Sequence, residues 1–252
     1  MIRRLLILIL ATVCLLAGLI AWVLMTESGL SASLSMAQQW LPGLSVNQVT
    51  GRLNQSATLE GIVYRVDDQE NYQIESLSIR LSPLALLRGR LVVDQLFLDG
   101  LELTAGKAAE GATFQLPELV LPIPISITDL RLSRVIRLNE LSQSTTLVSD
   151  LSASLAASRQ QVIVKQLRVQ TDDETGFELQ GTLALNGEDA TNMAYRWHAM
   201  KNGKVLSAEG QIKGNLAELM IDQQMLEPFK SSQTIKATHL LNDLTWEAQA
   251  NL

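Results

Sequence analysis

The chain has 252 residues, a formal charge of -6 and an apolar fraction of 47%, yet aromatic residues make up only 4%. Without a basic stripe to displace counterions, or aromatics for bases to stack on, a nucleic-acid partner is excluded. Cys14 is the single cysteine, so no disulfide staples the chain, and strand pairing and apolar burial must hold it together.

Arg3 and Arg4 precede an uninterrupted apolar run from Leu5 to Met25. Twenty-one helical residues span about 31 Å, the thickness of a bilayer's hydrocarbon core. The two arginines set the start on the cytoplasmic side and deliver everything after Met25 across the membrane. The exit, Trp22-Val23-Leu24-Met25-Thr26-Glu27, lacks the small residues of a cleavage site, so the run is expected to stay as an anchor. Cys14 follows Val13 and serves there as a small apolar residue. The expected organisation is residues 1–4 cytoplasmic, 5–25 transmembrane, 26–43 a juxtamembrane helix and 44–252 an exported β region.

From Glu27 to Leu41, Leu30, Leu34, Ala37 and Leu41 recur at helical steps, and Pro42-Gly43 ends the helix. From Val46 onward the period changes to two. Ile62–Val66 and Gln73–Leu81 form a strand pair; Leu77, Ile79 and Leu81 alternate with polar residues until Pro83 stops the strand. A second strand runs from Leu91 to Leu98, and Asp99-Gly100 is expected to turn the chain. Leu116–Ile125 carries three prolines among aliphatics, an edge segment or a connection between sheet portions. Farther on, Phe177, Leu179, Leu183 and Leu185 share one side of a strand, with Gly181 in their register. Asn215–Glu227 is ambiguous: Leu216, Leu219, Met220 and Leu226 fit a short helix that Pro228 would stop; Leu244, Trp246, Ala248 and Ala250 form a last alternation.

A four-residue frame, a β-branched residue, two mostly polar residues and leucine, recurs at Ile74–Leu77, Val93–Leu96, Ile127–Leu130, Val148–Leu151 and Val164–Leu167. The steps between its leucines, 19, 34, 21 and 16 residues, are those of a long sheet grown by repeated strand addition. Catalytic chemistry is absent from the pattern. His198 and His239 have no carboxylate or cysteine at ligand spacing. No phosphate loop or nucleophile elbow occurs. Asp172-Asp173-Glu174 lacks the further oxygen ligands of a calcium loop and is expected to be a solvated turn. The expectation is no enzyme, no metal and no cofactor.

Two blocks carry a resemblance to a known family. Thr26-x-x-Gly29 leads a helix to Leu41-Pro42-Gly43, followed by Val49-x-Gly51-x-Leu53 and Leu59-x-Gly61. The second is Leu77-x-Ile79-x-Leu81-x-Pro83-x-x-Leu86-Leu87-x-Gly89-x-Leu91, then Leu96-x-Leu98-x-Gly100, with Ser82 where relatives often carry an aromatic. Over about residues 1–103 this resembles the N-terminal portion of the TamB and AsmA-like family, whose TamB members are the inner-membrane half of the translocation and assembly module. The resemblance implies a single-pass inner-membrane protein whose bulk lies in the periplasm as a long curved sheet with an apolar groove. It further implies a role in outer-membrane biogenesis, through phospholipid transport or outer-membrane protein assembly. The implied partners are phospholipid acyl chains, the inner membrane and an Omp85-type, TamA-like outer-membrane barrel. Family members are far longer and bind the barrel through their C-terminal region, so this chain is expected to be an N-terminal portion.

The expected fold is therefore mainly β: an anchor helix, one short helix, then an elongated antiparallel-type sheet curved into a groove. The residues expected to line it are Leu77, Ile79, Leu81, Phe177, Leu179, Leu183, Leu185, Leu244 and Trp246. A non-catalytic scaffold or protein-binding module with a closed β-sandwich core is the alternative that one-sided strands also allow.

Overall fold

The computed structural model describes residues 22–23, 25–65, 71–104, 123–138, 144–185, 190–215, 217–238 and 245–251. The expected anchor, Leu5–Met25, lies almost wholly outside them. Among the described residues no helix is long and apolar enough to cross a membrane.

Helix α1 (Glu27–Trp40) starts where Thr26 can cap it: Thr26 Oγ1 accepts from the Gly29 amide at 3.0 Å. Glu27 in the first turn suits the positive end of the helix dipole. Leu30 is buried, Leu34 and Ala37 are half-buried, and the helix packs beside the first strand. Proline and glycine at 42 and 43 then turn the chain, with Gly43 at φ 106°.

Thirteen strands follow in one sheet, each beside its predecessor in the chain. They are β1 (Leu44–Arg52), β2 (Ser56–Arg65), β3 (Asn71–Leu81), β4 (Leu91–Thr104), β5 (Ile125–Leu138), β6 (Ser144–Ala157) and β7 (Gln161–Gln170). Then come β8 (Gly176–Ala184), β9 (Thr191–Lys201), β10 (Lys204–Gly214), β11 (Glu218–Glu227), β12 (Ser231–Thr238) and β13 (Thr245–Asn251). Between β3 and β4 a single helical turn, α2 (Pro83–Leu86), has proline in its first turn, where the missing amide costs nothing. It is a second short helix beyond the one expected.

The sheet departs from the antiparallel expectation once: β4 and β5 are parallel, Leu91 opposite Ile125 and Thr104 opposite Leu138. The proline-rich stretch between the two strands lies largely outside the described residues. One local expectation is corrected: Asp99-Gly100 is no turn but lies inside β4. The ambiguous segment resolves as a strand at residues 218–227, because Leu219, Ile221 and Met225 also fit period two and two neighbouring strands supply the ladder.

The closed-sandwich alternative does not hold. The strands make one open layer, with one free edge each on β1 and β13. Only nine apolar side chains among the described residues are buried, four of them alanines. The accessible surface is 17376 Å², against roughly 11,000 Å² for a compact monomer of this mass. A filled core between two sheets would bury far more.

The recurring four-residue frame gains a physical meaning. At Val93–Leu96, Ile127–Leu130 and Val164–Leu167 the ladder carries an extra residue on the strand bearing the frame. Such a bulge uses up one alternation, so residues three apart face the same side. The other two frames flank a transverse line through Asn47, Gly61, Glu75, Gly100 and Arg134, where Gly61, Gly100 and Arg134 have φ of 61°, 67° and 55°. Arg134 bridges Glu75 (2.5 Å) and Asp99 (3.2 Å). Asp99 lies opposite Ser76, so two successive positions of β3 present to one side, and Ile74 and Leu77 share the other. A side chain at Gly100 would collide with that of Glu75. The frame keeps leucine on one face across each kink.

Candidate functional site

Strand register assembles that face. Residues directly opposite in neighbouring strands point to the same side. One such row runs through eleven strands: Val49, Leu59, Leu77, Leu98, Leu132, Leu151, Val169, Phe177, Trp197, Ala208 and Met225. Every member is apolar. All are half-buried except Ala208, which is buried, and none is exposed.

The next row is Ala57, Ile79, Leu96, Leu130, Ala153, Leu167, Leu179, Tyr195, Gly210, Gln223, Gln233 and Ala250. A third joins Leu81, Val93, Ile127, Leu155, Val164, Gly181, Met193, Ile212, Ile221, Ile235 and Ala248. Gly181, at φ 134°, is required because a side chain there would strike the Asn192 carbonyl and Met193 of β9. Of the nine buried apolar residues, Ala57, Val93, Ala153, Met193 and Ala208 belong to these rows, and Ile62 and Val135 to their continuation past the kink.

The residues singled out from the sequence fall as follows. Leu77 and Phe177 share the first row; Ile79 and Leu179 share the second; Leu81 is in the third. Leu183 stands opposite Val162, one step farther along the same face. Trp246 pairs with Ala237, which pairs with Leu219, and is 68% exposed on the last strand. Leu185 follows β8, its amide bonded to the Gln160 carbonyl at 2.8 Å. Leu244 is outside the described residues. Sequence alternation missed β1, β2, β4–β7 and β9–β12 as contributors. For β4–β7 the signal was present in the three-residue spacing of the frame, which a strict period of two discards.

The opposite face carries the charges. Its register row reads Thr50, Thr58, Ser78, Phe97, Arg131, Ser152, Arg168, Glu178, Arg196, Glu209, Gln224, Ser232 and Asn251. Arg168 pairs with Glu178 at 2.8 Å and Arg196 with Glu209 at 3.1 Å. The one aromatic in this row, Phe97, lies under the Arg131 guanidinium, 5.2 Å from its centroid. A polar recess of about 1000 Å³ opens on this side across β7–β12, the expected result of sheet twist, which makes each face concave along one direction.

The apolar face admits two glutamines in its last strands, Gln223 and Gln233, and the first is satisfied. Gln223 Oε1 accepts from Tyr195 Oη at 3.0 Å and Trp197 Nε1 at 3.4 Å. Burial, then the charge of Asp222, pushes the Tyr195 phenol up. Elsewhere, hydrogen bonds from Thr171 and then Thr175 hold the Asp173 carboxyl below its usual range, in the β7–β8 turn. Glu75 and then Asp99 favour the charged Arg134. No group of three or more histidine, cysteine or acidic side chains among the described residues could hold a metal ion. Among the described residues the arrangement offers an extended apolar surface.

Comparison with curated proteins and with solved structures finds no match. A family model does match: the TamB N-terminal domain, over residues 16–135. That span covers α1 and the strands through β5 as far as Val135, the part of the sheet crossed by the transverse kink. Over residues 16–135 the chain is therefore similar to the N-terminal domain of the TamB family.

Proposed function

We propose that this chain is a non-catalytic, inner-membrane-anchored part of a translocation and assembly module, whose apolar face shields phospholipid acyl chains in the periplasm during outer-membrane biogenesis. The observation that carries the proposal is the row from Val49 to Met225: apolar on eleven strands, with no member exposed, and with no second layer over it among the described residues. An aliphatic face of this kind costs solubility, and a protein that keeps one must have an apolar guest for it. Leu77, Ile79, Leu81, Phe177, Leu179 and Leu183 are the proposed lining, with Leu185, Leu244 and Trp246 at its margin. Residues 5–25 would anchor the chain once, N-terminus in the cytoplasm. The match of residues 16–135 to the TamB N-terminal domain supports an outer-membrane TamA-like barrel as partner of the module. No contact with it is assigned to these residues.

The test is the lipid content of the full-length protein purified in a detergent that does not carry phospholipid. Mass spectrometry should find phospholipid bound to the wild-type chain and depleted in Leu179→Asp. A wild-type protein free of lipid, and unable to take it up from vesicles, contradicts the proposal.

A further inference from the structure

The loop between β3 and β4 is the most exposed apolar feature of the early strands. Leu84 and Leu87 are each 68% exposed. Arg88 and Arg90 follow directly, and both are exposed. From Ser82 to Leu91 there is no acidic residue. No described carboxylate forms an ion pair with either arginine. In a chain of net charge -6, this is a local reversal of sign joined to exposed leucine.

Its place in the sheet gives the pattern a direction. The loop lies at the end where the apolar rows finish, through Leu81 opposite Val93 and Leu91 opposite Ile125. Arg52, at the end of β1, and Arg159, in the β6–β7 turn, lie at the same end. The other end of β7 and β8 carries Asp172, Asp173 and Glu174 instead. One end of the early sheet is thus basic and apolar together, and it opens onto the apolar face.

We propose that the Leu84–Arg90 loop docks into the surface of an anionic phospholipid bilayer, seating the end of the apolar face on the membrane. Leucine side chains enter the acyl boundary while neighbouring arginines remain at the headgroup phosphates, the division of labour seen in interfacial binding generally. Arginine suits the role because its fork matches phosphate oxygens and its charge cannot be lost. The inference rests on the reading that the chain is membrane-anchored, so the anchor is read out separately.

The full-length protein, with Cys14→Ser and a single Leu84→Cys carrying an environment-sensitive fluorophore, is reconstituted in phosphatidylcholine vesicles with and without phosphatidylglycerol. The same label at Lys201→Cys, on the opposite end, is the control. Docking predicts severalfold stronger quenching by a lipid-borne nitroxide at 84 than at 201. It also predicts that quenching falls in neutral vesicles and in Arg88→Gln/Arg90→Gln. Equal access of aqueous iodide to both labels overturns the proposal. So does a label at 84 that is shielded from iodide yet unquenched by lipid, since protein would then cover it. Quenching indifferent to phosphatidylglycerol overturns the part given to Arg88 and Arg90. Flotation of the vesicles separates the two readings. A chain that floats with its 84 label in water keeps its anchor and loses the docking site, and a chain that does not float loses both.

Discussion

Strands β1–β9 and β10–β13 share one ladder but differ in what they present on the apolar face. In the first nine, six of the second row's eight members are large aliphatic or aromatic, Ile79, Leu96, Leu130, Leu167, Leu179 and Tyr195, and the other two are Ala57 and Ala153. In the last four the same row reads Gly210, Gln223, Gln233 and Ala250. The ladder nevertheless continues without a break to Asn251. Backbone pairing and the third row, with Ile212, Ile221 and Ile235, are therefore enough to keep strands in register. The wide aliphatic band of β1–β9 exceeds what the fold needs, and the surplus is what an apolar guest would use.

The comparison can be broken most severely at its boundary. Met193 is buried on β9 between Gly181 and Ile212. Met193→Asp would bury an unpaired carboxylate at a cost of several kcal/mol, and loss of the cooperative thermal transition is expected. Half-buried positions should respond differently. In Leu179→Asp and Leu183→Asp the new carboxylate can reach water from an open face. The melt should shift by about 1–3 kcal/mol equivalent, with the fold intact by circular dichroism and phospholipid uptake lost. Unfolding of both would mean that the face is a core after all.

Gln223→Leu sharpens the contrast from the other side by extending the aliphatic band into β11. It leaves the Tyr195 hydroxyl and Trp197 indole without their acceptor, so a destabilisation of about 1–2 kcal/mol in denaturant titration is expected, alongside greater lipid uptake. Arg134→Ala removes two exposed ion pairs from the transverse kink while keeping its positive φ. Only a small loss is expected from exposed pairs, shrinking as salt is raised. The smallest effect is at Asp173. A carboxyl depressed in the folded state stabilises above its unfolded pKa and stops doing so as pH falls through its folded one. Acidification below about pH 4 should therefore loosen the β7–β8 turn in wild type, read by amide exchange at Thr175, and Asp173→Asn should lack this step.

Much of this architecture was legible in the sequence, and the misses have physical causes. Alternation around Leu77–Leu81 and Phe177–Leu183 revealed the face because those stretches pair regularly. Asp99-Gly100 read as a turn because a glycine that permits positive φ serves a kink inside a strand as well as a reversal. The parallel β4–β5 pair was hidden because parallel neighbours leave no local mark on either strand. Residues 218–227 were ambiguous because Leu219, Met220 and Leu226 satisfy a helical spacing while Leu219, Ile221 and Met225 satisfy a strand. Only pairing with β10 and β12 chooses between them. The five leucine frames were visible, but their role in holding one face across bulges required the register.

The central claim, that the row from Val49 to Met225 meets acyl chains, is tested most directly by photocrosslinking along both faces. A benzophenone amino acid is placed singly at Leu98, Leu179 and Met225 on the apolar face, and at Glu178 and Arg196 on the charged face. After irradiation of the full-length protein in native membranes, mass spectrometry reads the adducts. The account predicts phospholipid adducts at the three apolar-face positions and none at the two charged-face positions. Lipid adducts equal on both faces, or only protein adducts at Leu98 and Leu179, would contradict it.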